Sequence, residues 1–107
     1  MAVAPEEIFK TLGDTTRRAI FERLVRDGEL TVRLLTEQSG VSQPAVSKHL
    51  RILKTAGLVR DRPQGRETHY SADPRGLAPL VDWMGLYGAF WSSRLDQLED
   101  LLARMDQ

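Results

Sequence analysis

The chain has 107 residues, enough for one domain and too few for two ordinary ones. It is 41% hydrophobic and 28% charged, with 15 basic residues balancing 15 acidic ones and no cysteine, which excludes disulfides, thiolate metal sites and a thiol redox switch. No apolar run approaches bilayer-spanning length, and MAVAPEEIF carries acids where a signal peptide carries cations; a cytoplasmic protein with no membrane partner is expected.

PEEIFKTL opens with Pro5 and two acids, which suits a first helical turn, and Ile8, Phe9 and Leu12 give it an apolar side before Gly13 ends it. Asp14 stands at an N-cap position. After it, Ile20, Phe21, Leu24 and Val25 recur at helical spacing through TTRRAIFERLV. Asp27-Gly28-Glu29 breaks that helix. Thr31 can cap a short third one, VRLLTEQ, with Leu34 and Leu35 inward, and Ser39-Gly40-Val41 reads as a turn.

The next stretch, SQPAVSKHLRILKTAGLV (42–59), predicts a fourth helix. Ser42 can accept from a free amide of the first turn, Pro44 lies where a missing N–H costs nothing, and Gly57 can turn left-handed past the end. At 100° per residue, Val46, Leu50 and Leu53 share one arc and face a core. Opposite them lie Pro44, Ser47, Lys48, Arg51 and Thr55, with Gln43 and Lys54 at a flank. That face holds cations and small polar groups and no carboxylate. It can approach a phosphate backbone closely and still reach base edges: Gln suits adenine, Arg or Lys suits guanine, and Ser is tolerant. His49 lies nearer the apolar arc and reads as a packed residue bonded to a neighbour rather than as a base reader.

Beyond Gly57 the periodicity changes. LVRDR (58–62) and RETHYSA (66–72) predict two short strands, with Pro63-Gln64-Gly65 as the turn and Arg60, Arg62 and Arg66 around it, where a wing reaches phosphates or the minor groove. From roughly Leu77 to Met105 the chain reads as one long helix in which Gly85 and Gly88 can mark a bend. Leu77, Leu80, Met84, Tyr87, Trp91, Leu95, Leu98, Leu102 and Met105 recur at steps of three and four along it. Such a helix is about 43 Å long at 1.5 Å per residue. The remainder of the chain cannot cover it, so a partner chain is the natural cover. Trp83, Tyr87, Phe90 and Trp91 crowd into nine residues, as a ligand pocket or as dimer core.

The predicted fold class is therefore mainly α with a small β-hairpin: a winged helix-turn-helix with long N- and C-terminal dimerisation helices. It is a single domain over 1–107, with the helix-turn-helix at 31–56, the wing at 58–72 and the outer helices at 5–12 and 77–105. Charge follows the same division. Residues 41–75 hold seven cations against three acids, while residues 76–107 hold two against five, so only the middle segment presents a polyanion-facing surface. No Ser–His–acid spacing, Gly-rich phosphate loop or cluster of metal ligands suggests an enzyme or a cofactor. The competing reading is a winged-helix protein–protein interaction module without specific DNA binding.

LGDTTRRAIFERL (12–24), SQPAVSKHLRILKTAGLV (42–59), Gly65-Arg66 and DWMGLYGAFWSSRLDQLEDLL (82–102) together resemble the ArsR/SmtB family of bacterial transcription repressors over almost the entire chain. SQPAVSKHLR is the most specific part. The resemblance implies a homodimer that binds double-stranded DNA at an inverted-repeat operator and represses nearby genes. It implies Ser42, Gln43, Pro44, Ser47, Lys48 and Arg51 on the DNA-facing helix, and Arg62, Gln64 and Arg66 on the wing. It also implies a dimer interface from the first and last helices, including Ile8, Phe9, Leu80, Met84, Tyr87, Trp91, Leu95 and Leu98. Thr15 stands where the family often has proline, and threonine also opens a helix. Metal-sensing members carry a cysteine pair on the helix before the recognition helix, or Asp, His and Glu ligands on the last one. Here leucines of TVRLLTEQ replace the thiolates and the last helix has no histidine. A metal-free branch is implied, and the effector, if a small molecule, is left unnamed.

Overall fold

The structure is a computed structural model and describes residues 3–105. Its elements run α1 (Pro5–Gly13), α2 (Thr15–Asp27), β1 (Leu30–Thr31), α3 (Val32–Ser39), α4 (Gln43–Thr55), β2 (Val59–Gln64) and β3 (Glu67–Ala72). A 3-10 turn (Pro74–Leu77), α5 (Ala78–Gly85) and α6 (Gly88–Met105) follow.

Three helices start on a side-chain cap. Asp14 accepts from the Arg17 amide at 2.9 Å, Thr31 from Leu34 at 3.2 Å and Ser42 from Ala45 at 3.3 Å, each satisfying a donor that the first turn leaves free. The end of α4 is a complete Schellman motif. Gly57, left-handed at φ +79°, donates to Lys54, and Leu58 donates to Leu53 at 2.9 Å. Leu53 and Leu58, which such a motif brings together, are both fully buried.

Val46, Leu50 and Leu53 point into one core with Ile20, Phe21 and Leu24 of α2 and Leu35 of α3, as the helical spacing predicts. Ile8 of α1 is also fully enclosed there. That corrects its expected place at a dimer interface: its own chain has already taken its whole surface. The neighbouring Phe9 is 45% exposed and keeps an outward face.

The hairpin belongs to a three-stranded antiparallel sheet in the order β1-β3-β2. The two-residue β1 was not foreseen, because Leu30 and Thr31 alone show no period and become a strand only by pairing with Tyr70 and His69. The turn also moves. Pro63 and Gln64 are strand residues opposite Thr68 and Glu67, and the chain reverses at Gly65-Arg66, with Gly65 at φ +63°. A two-residue turn with left-handed glycine first matches the right-handed twist of the strands. Proline is tolerated because β2 is an edge strand, where a missing N–H leaves no ladder bond unmade.

The expected long C-terminal helix is broken. Leu86 and Tyr87 donate to Trp83 and Met84 three residues back, closing α5, and the α-pattern resumes when Trp91 donates to Tyr87. Glycine on both sides of this joint, Gly85 and Gly88, makes the break inexpensive. No residue of α5 or α6 is buried. The radius of gyration is 18.6 Å where a compact chain of this length has about 13 Å, because α6 projects from the body along the 65 Å long axis. No helix among the described residues is long and apolar enough to cross a membrane.

Candidate nucleic-acid interface

Helix α4 carries Gln43, Pro44, Lys48, Arg51 and Thr55 exposed and Ser47 half-exposed, on the side away from Val46, Leu50 and Leu53. Ser42, Gln43 and Pro44 are outward at its start. Carboxylates are absent from this face. α3 packs against α4 across the Ser39–Ser42 turn. That turn is fixed by the left-handed Gly40 and by the Ser39 hydroxyl, which donates to Thr36 and accepts from the Val41 amide.

His49 is half-buried at the edge of this face, with Arg17 Nη1 3.5 Å from its Nδ1. Arginine can only donate, so Nδ1 is the acceptor there. Arg17 is held in turn by the Thr11 carbonyl, which accepts from its Nε at 2.7 Å. His49 thus packs against α2 through a neighbour, as its position on the wheel suggests. Ile52, whose place the wheel leaves undetermined, lines a shallow depression with Val3, Ala4 and Thr11 and so faces the start of α1.

Ion pairing sorts the seven cations of residues 41–75. Lys54 lies 2.9 Å from Asp61, whose hydrogen bond raises the lysine pKa above its ordinary value. Arg60 and Arg75 both approach Asp73, at 3.7 and 3.0 Å, and Arg75 holds that carboxyl below the usual carboxylate range. Arg62 is bound to Glu29: its Nη2 donates to Oε1 and its Nε to Oε2 at 3.3 Å, and Glu29 is correspondingly lowered. The remaining Nη1 donates to Gln64 at 2.8 Å. Lys48, Arg51 and Arg66 have no carboxylate within pairing distance among the described residues. Two of these lie on the outer face of α4 and the third at the hairpin tip.

Of the sequence-derived DNA-facing residues, then, those of α4 share one exposed face, and Arg66 is exposed and unpaired. Arg62 and Gln64 are exposed but joined to each other and to Glu29. Sequence reasoning missed Glu29. Its only signal was an acid just before a threonine cap, and its meaning appears only when β1 pairs with β3.

The other residues expected at a dimer interface differ from Ile8 in their exposure. Met84, Tyr87, Trp91, Leu95 and Leu98 are exposed, and Leu80 is half-buried against the core. Rings connect the two outer helices: Phe9 meets Trp83 edge-on at 5.1 Å, and Trp83 meets Tyr87 at 5.1 Å. Phe90 and Trp91 form a second edge-on pair at 5.5 Å. These rings fill space against one another. Among the described residues no group of three or more His, Cys, Asp or Glu is placed to hold a metal.

A helix-turn-helix followed by a hairpin, with a cationic outer helix face, defines the winged helix-turn-helix class. The profile of the bacterial regulatory protein, arsR family, matches residues 14–61, from α2 into β2. The chain is 52% identical over 77 residues to the HTH-type transcriptional regulator Rv2034 of Mycobacterium tuberculosis, covering 72% of this chain and 71% of that protein. It is 35% identical to the transcriptional repressor SdpR of Bacillus subtilis, covering 72% and 84%. An ArsR-like transcriptional regulator from Rhodococcus superposes with a TM-score of 0.70 at 31% identity, covering 91% of each chain. A homodimeric winged helix-turn-helix DNA-binding domain from Mycobacterium bovis does so at 0.62 and 25%, covering 78% and 77%. The protein belongs to the ArsR family of transcriptional regulators.

Proposed function

We propose that this regulator is a homodimeric repressor that binds an inverted-repeat operator, with α4 of each protomer in a major groove. Gln43, Pro44, Ser47, Lys48 and Arg51 meet the DNA from α4, Ser42 sets the first of them, and the wing (60–66) lies on the backbone or the adjacent minor groove. The observation that carries this is the distribution of unpaired cations. Among the described residues, Lys48, Arg51 and Arg66 are the members of the basic segment without a carboxylate partner, and they lie on the two elements a winged helix presents to DNA.

Dimerisation supplies the second recognition helix. The seam of α5 and α6, together with Phe9, leaves a row of large hydrophobic side chains exposed, which suits burial against a second copy, and the Mycobacterium bovis neighbour is a homodimer. Repression fits SdpR, a relative named as a repressor. Thiolate metal sensing does not fit this chain, since it contains no cysteine and Leu34 and Leu35 occupy α3.

Footprinting and titration on DNA flanking the gene test the reading. The dimer brings about six unpaired cations to phosphate, so log K against log salt is expected to slope at about −5. Failure to protect any flanking DNA at low salt, or capture of a protein partner through Lys48 and Arg51 with DNA binding untouched, overturns it.

A further inference from the structure

One carboxylate from outside the hairpin is bound to a cation of the wing. Glu29, the residue before β1, reaches across the sheet to β2 and accepts from two of the three Arg62 nitrogens, while Gln64 accepts from the other. Register explains how. Thr31 and Arg62 both stand opposite His69 and form one cross-strand row, and Glu29, two residues before Thr31, lies on the same face and reaches that row diagonally. His69 Nδ1 is 3.6 Å from the same carboxylate oxygen. A fork-to-carboxylate pair of this kind is also how arginine holds a phosphate, so Glu29 occupies the donors that a phosphate would use.

We propose that Glu29 is a specificity-determining residue of the DNA site: it withdraws Arg62 from the phosphates and confines the wing's grip to Arg66 at the tip. This rests on the DNA-binding reading above. The consequence is a wing that adds little indiscriminate attraction, leaving affinity to depend on how α4 fits the bases. Both partners are substantially exposed, Glu29 at 37% and Arg62 at 53%, so the pair is weak enough to be tuned by a single substitution and contributes little to holding the fold.

The test is a titration of the intact protein on its flanking operator and on a random duplex of equal length, over a salt series. Glu29→Gln keeps the size and an acceptor oxygen but removes the charge. It is expected to bind both duplexes about 3- to 10-fold more tightly, to narrow the ratio between them, and to steepen the dimer's salt slope by about 2, one extra phosphate contact per protomer. Arg62→Ala in the otherwise unchanged protein is expected to shift operator affinity less than about 2-fold, and in the Glu29→Gln background to abolish the gain. Weaker or unchanged binding by Glu29→Gln overturns the inference, as does a 10-fold loss from Arg62→Ala alone. The second variant decides the matter even should the first fold poorly. If the unchanged protein protects no flanking DNA, it is the DNA-binding reading that fails, and the two failures are therefore distinguishable.

Discussion

Gly76 of the 3-10 turn lies directly on Gly57, the left-handed residue that ends α4; a Cβ on Gly76 would fall 2.1 Å from the Gly57 carbonyl oxygen. Beside this contact, the Asp73 amide donates to the Leu58 carbonyl at 2.8 Å. The end of α4, the start of β2 and the root of α5 therefore meet at one point built from backbone alone. Gly76→Ala is expected to destabilise the protein by about 3 kcal/mol, because neither backbone can yield as a side chain would. Chemical denaturation monitored by circular dichroism measures this, and a loss below about 0.5 kcal/mol would show that the contact relaxes.

Lys48→Ala and Arg51→Ala are expected to weaken operator binding strongly while leaving thermal stability within a degree or two. Each removes two phosphate or base contacts per dimer and flattens the salt slope by up to about 2. Arg60→Ala, whose guanidinium faces Asp73, is expected to flatten it far less. Equal effects from all three substitutions would mean that ion pairing within the chain does not select the DNA contacts.

Leu95→Asp and Leu98→Asp place a charge on the exposed seam of α6. Sedimentation is expected to show a monomer, and operator affinity to fall by at least 100-fold, since one recognition helix reads only a half-site. The monomer should keep its helical circular dichroism, because α6 contributes no buried residue to the core. A variant that remained dimeric would place the interface elsewhere.

Acid should loosen the protein through three carboxylates whose pKa values lie below their ordinary range. Asp14 is lowered by the Arg17 amide it caps, Glu29 by Arg62 and Asp73 by Arg75. A carboxylate with a depressed folded-state pKa binds fewer protons folded than unfolded. Its contribution is therefore complete above the ordinary carboxylate value and is lost as pH falls from there through the lowered one. Melting temperature is expected to be flat with respect to these groups at neutral pH and to decline below about pH 4. Asp14→Asn, which still caps a helix, should show a shallower acid decline, and an unchanged one would remove Asp14 from the account.

Leu50→Ala empties the middle of the core, where α4 meets α2, and should cost about 2–5 kcal/mol. DNA binding should fall only in proportion to the unfolded fraction. That outcome separates the inward side of α4 from its outward side.

Much of this molecule is legible in its sequence because the signals are local. Caps at Asp14, Thr31 and Ser42, breaks at Gly28 and Gly40, the left-handed Gly57, and the arc of Val46, Leu50 and Leu53 depend on neighbours within a few residues, and the structure reproduces each. The carboxylate-free face of α4 follows from the same 100° step. What the sequence leaves open depends on residues brought together from far apart. Leu30 and Thr31 become a strand only opposite Tyr70 and His69, and Ile8 is claimed by its own core rather than a partner. Gly76 needs to be glycine only because Gly57 lies against it. Periodicity cannot see such pairs, since it reports which way a side chain points and not what it meets. For the basic segment that difference is decisive. Seven cations look alike in sequence, and only the fold, by setting Glu29 beside Arg62, Asp61 beside Lys54 and Asp73 between Arg60 and Arg75, leaves Lys48, Arg51 and Arg66 without a carboxylate among the described residues.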